Sequence, residues 1–161
     1  MSIGKQGRPR LFLDTNVFVD CLQQRERFFE SARLLLIMGK VGEVELWMSA
    51  TQMTDLIYIL SEGGRKQLMP RVMASLRGLR GFVNVCGVGA DEIDAILETD
   101  WQDAEDALIH NLACQMRADA IITSNKRGFQ RSSIDVFDCD EFFQRMEEKR
   151  GTLYGIARLR S

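Results

Sequence analysis

The sequence predicts a three-layer α/β/α domain, a central parallel sheet of about five strands with helices on both faces. Five short apolar runs of strand length recur, over residues 10–14, 44–48, 82–86, 120–124 and 134–137. Segments whose apolar residues repeat at helical spacing separate the first four of them, the pattern of β-α-β units. The runs are apolar nearly throughout instead of alternating, as strands covered on both faces are. At 161 residues and 18.4 kDa, the chain suits one domain over residues 1–148 with a basic C-terminal tail over 149–161.

Each element has its own signal. Arg10-Leu-Phe-Leu-Asp14 is the first strand, closing on a carboxylate, with Asn16 expected to cap the helix that follows. Phe28, Ala32, Leu35 and Leu36 are spaced for a helix that ends at Gly39 and Gly42. Val44 to Met48 is the second strand. Ser49 and Gln52 then have capping-box spacing and start a helix through Met53, Leu56 and Leu60, stopped at Gly63-Gly64. A basic helix from Arg65, with Leu68, Val72, Met73 and Leu76, is expected to end near Gly78 and Gly81 before the third strand, Phe82 to Cys86. Ala90 to Glu98 predicts a short acidic helix with Ile93, Ile96 and Leu97 as its apolar stripe. Asp103 to Arg117 predicts a longer helix facing the core through Ala104, Leu108 and Leu112. The fourth strand is Ala120 to Ser124 and the fifth Ile134 to Phe137; Asp138 caps a final helix carrying Phe142, Phe143 and Met146.

Composition narrows the class. With 45% hydrophobic and 27% charged residues and two prolines, the chain is neither disordered nor fibrous. No run approaches the roughly 18 apolar residues that cross a bilayer, and residues 1–10 are polar and basic, so no membrane association and a cytoplasmic location are expected. Cys21, Cys86, Cys114 and Cys139 lie far apart without a C-x-x-C pair, which predicts reduced, buried packing residues and no zinc knuckle. A net charge of −2 and a pI near 5.5 are unlike the basic excess usual in nucleic-acid binders. The distribution is uneven, however: five bases and no acid between Arg65 and Arg80, eight acids and no base between Asp91 and Asp106. Both segments also suit solvated helix faces.

In parallel sheets ligands bind beyond the carboxyl ends of the strands. There the predicted elements put Asp14, Asp55, Asp103, Asp106 and Asn125. Asp103 and Asp106 share a helix face, with His110 one turn further on. Unpaired carboxylates in one cleft repel and resist desolvation until a cation neutralises them. Mg²⁺ or Mn²⁺, hard ions that take oxygen ligands and keep several waters, answer that need and polarise phosphoryl oxygens. Each residue has a plainer role as well. Asp14 and Asn125 suit turns, Asp55 an exposed helix face, Asp103 a helix cap and Asp106 a first-turn charge on the helix dipole. His110 is left out of the metal set.

Leu11-Phe-Leu-Asp-Thr-Asn-Val-Phe-Val19 resembles the opening strand and turn of the PIN-domain nucleases. Glu105-Asp-Ala-Leu108 with Ala113, then Ala120-Ile-Ile-Thr-Ser-Asn-Lys-Arg-Gly-Phe129, resembles the family's second half, and Ile134-Asp-Val-Phe137 with Asp140-Glu-Phe-Phe143 its closing strand and helix. The resemblance implies a Mg²⁺- or Mn²⁺-dependent endoribonuclease acting on single-stranded RNA, of the VapC toxin kind, partnered by an antitoxin protein and forming a homodimer. It implies acidic positions at Asp14, Asp55 and Asp106 with Asp103 beside them, and Thr123 and Asn125 at the site's border. Asp14 and Asp106 are expected to hold the ion directly, Asp55 and Asp103 directly or through water. Thr123, Asn16 and Asn125 would bind phosphate or water. Arg71, Arg77, Lys126 and Arg127 would supply the cationic rim, with Arg131, Arg158 and Arg160 as lesser contributors.

Two positions depart from the family pattern. Asp55 stands where relatives usually carry the longer Glu, and no carboxylate lies between Asp119 and Asp135, where relatives often carry another. The missing acid motivates an alternative, a catalytically silent PIN-like module that binds RNA or protein. A phosphatase reading of Leu13-Asp-Thr-Asn16 needs an Asp where Asn16 stands.

Overall fold

The structure is a computed structural model and describes residues 7–151. Five strands, β1 (Arg10–Leu13), β2 (Glu45–Ser49), β3 (Val83–Cys86), β4 (Ala120–Ile122) and β5 (Asp135–Phe137), form one parallel sheet in the order β3-β2-β1-β4-β5. Phe12 stands level with Trp47 of β2 and Ile121 of β4. The chain builds outward from β1 to β3, then crosses back to place β4 on the other side of β1. The strand order therefore reverses between β1 and β4, where the crevice of such sheets opens.

Alternation along the central strands sorts the core into two layers. Leu11, Leu13, Ala120 and Ile122 face one side, packed by α1 (Thr15–Leu22), α2 (Phe29–Lys40), α3 (Ala50–Leu60), α4 (Met69–Arg80) and α7 (Cys139–Arg150). Phe12 and Ile121 face the other, covered by α6 (Ala104–Gln115), by Ile96 of α5 (Ala90–Leu97) and by Phe129 of the short 3₁₀ turn Lys126–Phe129. This is the three-layer α/β/α arrangement that the apolar runs predict.

The cap signals hold. Ser49 Oγ accepts the Gln52 N–H at 3.1 Å while Gln52 Oε1 accepts the Ser49 N–H at 2.8 Å. Asp138 and Glu141 form the same reciprocal pair at the start of α7. A helix approaching a sheet this closely needs a small residue where the two meet, and Gly39 on α2 is one: a Cβ there would overlap the end of Leu46 and stand 2.8 Å from its Cγ.

Several expectations need correction. Arg65 and Lys66 lie in the connection before α4, which starts at Met69 with Pro70 in its first turn and runs through Gly78 to Arg80. The stripe on α5 is not a core stripe: Ile93 is 40% and Leu97 77% exposed, because α5 packs on α6 at the margin of its layer and only Ile96 reaches the core. Ala104 is exposed, and α6 faces inward through Ala107, Leu108, Ile109, Leu112 and Ala113. All four cysteines are free thiols, but Cys114 is exposed, Cys21 and Cys139 are half-buried, and only Cys86 is buried. Among the described residues no helix is long and apolar enough to cross a membrane. The tail's Arg158 and Arg160 lie outside the described residues.

Because Leu46 is fully buried and has no room to retreat, Gly39→Ala is expected to destabilise the fold by about 1–2 kcal/mol, overpacking outweighing the alanine's helix propensity. Urea denaturation of the two proteins measures the difference.

Candidate active site

The site forms where β1 and β4 end. Asp14 follows Leu13 directly and occupies the N-cap position of α1 without capping it. The residue is 7% exposed, and its Oδ2 accepts hydrogen bonds from Thr123 Oγ1 at 2.7 Å and Asn16 Nδ2 at 2.9 Å. Asn16 is therefore not the helix cap that its position in sequence suggests. It sits in the first turn of α1, also donates to Thr123 Oγ1 at 3.3 Å, and accepts the Ser124 N–H at 3.1 Å on Oδ1. The Asn125 N–H donates to Thr123 Oγ1 at 3.0 Å. This polar mesh fixes the two strand ends against each other.

Helix α3 is tied to the same corner. Gln52, buried and already engaged in its capping box, donates from Nε2 to the Leu13 carbonyl at 2.7 Å and to Thr15 Oγ1 at 3.3 Å. The capping spacing reveals half of that role; the other half crosses 39 positions and has no local signal. Asp20, which nothing in the sequence marks, is a buried carboxylate on α1. It pairs with Arg25 at 3.5 Å and accepts a hydrogen bond from Ser124, so it braces the loop after β4.

Five acids share the field of this corner: Asp14, Asp55, Asp103, Glu105 and Asp106. Burial pushes the Asp106 carboxyl up to about 7, and the charges of Asp14, Asp103 and Glu105 add to the rise. Asp14 is raised by burial and by Asp103, against the lowering hydrogen bonds from Thr123, the Thr15 backbone and Asn16. Glu105 is raised by burial and then by Asp55, Asp14 and Asp103, while a hydrogen bond from Thr15 opposes the shift. Asp55 is exposed on α3 and enters the group through its repulsion of Glu105. Asp103 is the helix cap that its spacing allows, Oδ1 accepting the Glu105 N–H at 2.8 Å and the Asp106 N–H at 3.2 Å. Sequence reasoning misses Glu105 as a site residue; the only signal for it is its place in the first turn of a helix between Asp103 and Asp106.

A second residue without a sequence signal of its own is Gly128. A Cβ built on it would overlap the Asp106 carboxylate and stand 2.7 Å from Cγ. The 3₁₀ turn thus passes so close to Asp106 that only glycine leaves the carboxylate in its present place. Asn125 precedes this turn, exposed and without a side-chain cap bond.

Asp103, Asp106, Asn125, Arg127 and Gly128 line a cleft of about 470 Å³, together with Trp101 and Arg131. Arg131 is held across it by Asp100 at 2.8 Å. The other expected cations lie elsewhere. Lys126 is ion-paired with Glu141 of α7 and borders a different groove. Arg71 and Arg77 are exposed on α4, and Arg77 edges an apolar groove of about 380 Å³ between α3, α4 and β3. His110 turns to Ser133, 3.1 Å away, and to the Trp101 ring, and takes no part in the acid cluster.

The donor set fits a hard divalent ion in a particular sense. Among the described residues none of the five acids is ion-paired, which leaves the raised carboxyls of Asp14, Glu105 and Asp106 without an internal counter-charge. Yet among those residues no three His, Cys, Asp or Glu side chains converge to cage an ion. That combination suits a hydrated Mg²⁺-like ion taken by one or two carboxylates, not a preformed protein cage.

The PIN domain model matches residues 10–127, and the chain belongs to the PIN-domain family, whose members are generally nucleases. No curated protein matches it significantly. Among solved structures, DNA-bound VapBC from Salmonella typhimurium aligns with a TM-score of 0.61 at 18% identity, covering 81% of this chain and 98% of that one. VapBC2 from Rickettsia felis, bound to a fragment of promoter DNA, gives 0.58 at 16%, covering 80% and 97%. VapBC-1 from nontypeable Haemophilus influenzae gives 0.58 at 20%, covering 81% and 98%. At these identities the likeness is one of fold.

Two outcomes follow from the electrostatics. As pH rises from about 4 to about 7, the unfolded chain releases the Asp106 proton while the folded chain retains it, so this group lowers stability progressively across that window. Without divalent ion, Asp106→Asn is therefore expected to raise stability at pH 8 by about 1–2 kcal/mol, allowing for solvent screening, and to change little at pH 4; denaturation at the two pH values checks this. Gly128→Ala displaces the movable end of Asp106 and little else. Its melting temperature in EDTA should stay near the parent's, while the rise produced by Mn²⁺ should shrink severalfold, as differential scanning fluorimetry would record.

Proposed function

We propose that the chain is a Mg²⁺- or Mn²⁺-dependent endoribonuclease acting on single-stranded RNA in the cytoplasm, the toxin of a toxin–antitoxin pair. The observation that carries this is a set of mutually repelling carboxylates at the β1/β4 reversal point, without a counter-charge among the described residues, two of which, Asp103 and Asp106, line a cleft with Arg127. The family supports nuclease chemistry, and the VapBC assemblies among its structural neighbours support the toxin–antitoxin setting.

Asp14 and Asp106 would hold the ion, with Asp55, Asp103 and Glu105 contributing directly or through water. When bound, the ion supplies electrophilic polarisation of the phosphodiester and lowers the pKa of water at the site. The remaining work falls to the chain. Thr123 and Asn16 hold the Asp14 carboxylate by hydrogen bonds, so it meets the ion in one orientation. Asn125, on the lining of the cleft, would donate to a phosphate oxygen, and Arg127 would offset the repulsion between RNA and the acids. Arg71 and Arg77 extend the cationic surface along α4, while Lys126, already paired, contributes less. The apolar groove between α3 and α4, edged by Arg77 and Arg80, is a suitable seat for an antitoxin segment, and exposed Tyr58 and Ile59 on α3 for a second copy of the chain.

Asp14→Asn is expected to abolish Mn²⁺-dependent cleavage of a labelled single-stranded RNA; undiminished cleavage would remove Asp14 from the mechanism. Arg127→Ala and the Arg71→Ala/Arg77→Ala pair should each weaken RNA binding and flatten its dependence on salt, by about one unit of log–log slope for each phosphate left without its cation. A silent PIN-like module is the second reading, favoured by the lack of any carboxylate between Asp119 and Asp135. Calorimetric titration separates the two, since that reading requires no Mn²⁺ binding below millimolar concentration.

A further inference from the structure

Trp101 is an aromatic side chain in the cleft whose role the acid cluster does not explain. It is half-buried, and it lines the cleft with Asp103, Asp106, Arg127 and Arg131. Its ring is supported by two others. The His110 ring stands 4.9 Å away at a 32° tilt, and Phe129, itself buried, meets it edge-on at 6.3 Å. The imidazole is in turn fixed by the loop before β5, because the Ser133 N–H donates to His110 Nε2 at 3.2 Å. Neither His110 nor Phe129 lines the cleft, so the indole lies between this support and the open space.

A held aromatic ring beside two arginines and a phosphodiester-cleaving corner has a chemical counterpart. Unpaired nucleobases present a π-face together with an anionic backbone, and proteins bind single strands by stacking the bases on aromatic rings while cations follow the phosphates. Bases within a duplex are already stacked on both sides and cannot use such a surface. Because the ring is fixed beforehand, little side-chain entropy is lost when a base stacks on it.

We propose that Trp101 is a nucleobase subsite, stacking an unpaired base of single-stranded RNA next to the phosphate that enters the acidic corner, with Arg127 on a flanking phosphate. The inference rests on the ribonuclease reading and deepens it, by locating the selection of single strands over duplexes in this residue.

The chain contains two tryptophans, Trp47 and Trp101, so Trp47→Phe leaves Trp101 as the sole indole reporter. In EDTA at low ionic strength, where RNA stays intact, titration with a fluorescein-labelled, unstructured hexaribonucleotide is followed by anisotropy, and with the unlabelled strand by indole emission. Saturable quenching of Trp101 is expected, with a much smaller response to a blunt RNA duplex. Trp101→Ala should weaken hexanucleotide binding roughly tenfold or more, and Trp101→Phe, which keeps a ring against Phe129, only a few-fold. Saturating anisotropy without a change in Trp101 emission would overturn the subsite, as would a folded Trp101→Ala protein that binds and cleaves like the parent. Either result would leave the ribonuclease reading standing if Mn²⁺-dependent cleavage persists. Absence of both RNA binding and cleavage in the parent chain would overturn the two together.

Discussion

Desolvated negative charge at the meeting of two strand ends is the constraint around which this molecule is arranged. Asp14 is almost wholly buried and lies within the field of Asp103 and Asp106, an arrangement that water would relieve if the residues were free to part. They are not free. Asp14 is the residue directly after a central strand, its Oδ2 held by Thr123, the residue directly after β4, and by Asn16 from the first turn of α1. Asp106 is set by a helix that Asp103 caps, and the backbone at Gly128 closes over it. Rigid elements thus keep the repulsion in place, and Asp106 answers it by holding its proton up to about pH 7.

The surroundings show how such a corner is kept from collapsing. Hydrogen bonds to a carboxylate lower its pKa and partly offset burial, and the Thr123 and Asn16 bonds to Asp14 are of that kind. Gln52 and Asp20 act one layer further out. The first fixes the start of α3 to the end of β1, and the second ties the loop after β4 to α1. Glu105 also bears on the departures from the family pattern. It supplies a carboxylate in the field of Asp55 and Asp14, while the loop after β4 has Gly128 pressed against Asp106 and no acid of its own.

Beside this anionic corner the cleft changes character. Arg127, Arg131 and Trp101 line the same space as Asp103 and Asp106, so an anionic polymer would meet cations and an aromatic ring at the edge of the repelling centre. The strongly basic segment that stands out in the sequence lies instead along α4 and the connection before it, with Arg77 edging a separate apolar groove. Charge runs along a chain record composition. Which cleft a charge serves depends on the direction in which its helix is laid.

Whatever depends on neighbours within about one helical turn or one strand could be read from the order of the residues. Near-continuous apolar runs specified buried parallel strands, Ser49 with Gln52 and Asp138 alone specified helix starts, and Asp14, Asp103 and Asp106 were legible as carboxylates placed at element ends. What depends on the meeting of remote segments came with folding. Thr123 reaches Asp14 across 109 positions, Asn16 becomes a clasp between strands instead of a cap, Glu105 joins the acids, and Gly128 is required by a side chain 22 residues earlier in the chain. The same holds for exposure: Leu97 and Cys114 have the spacing and chemistry of packed residues, but no described element covers them. Periodicity reports which face of an element is apolar, whereas the packing of the other elements decides whether that face is covered.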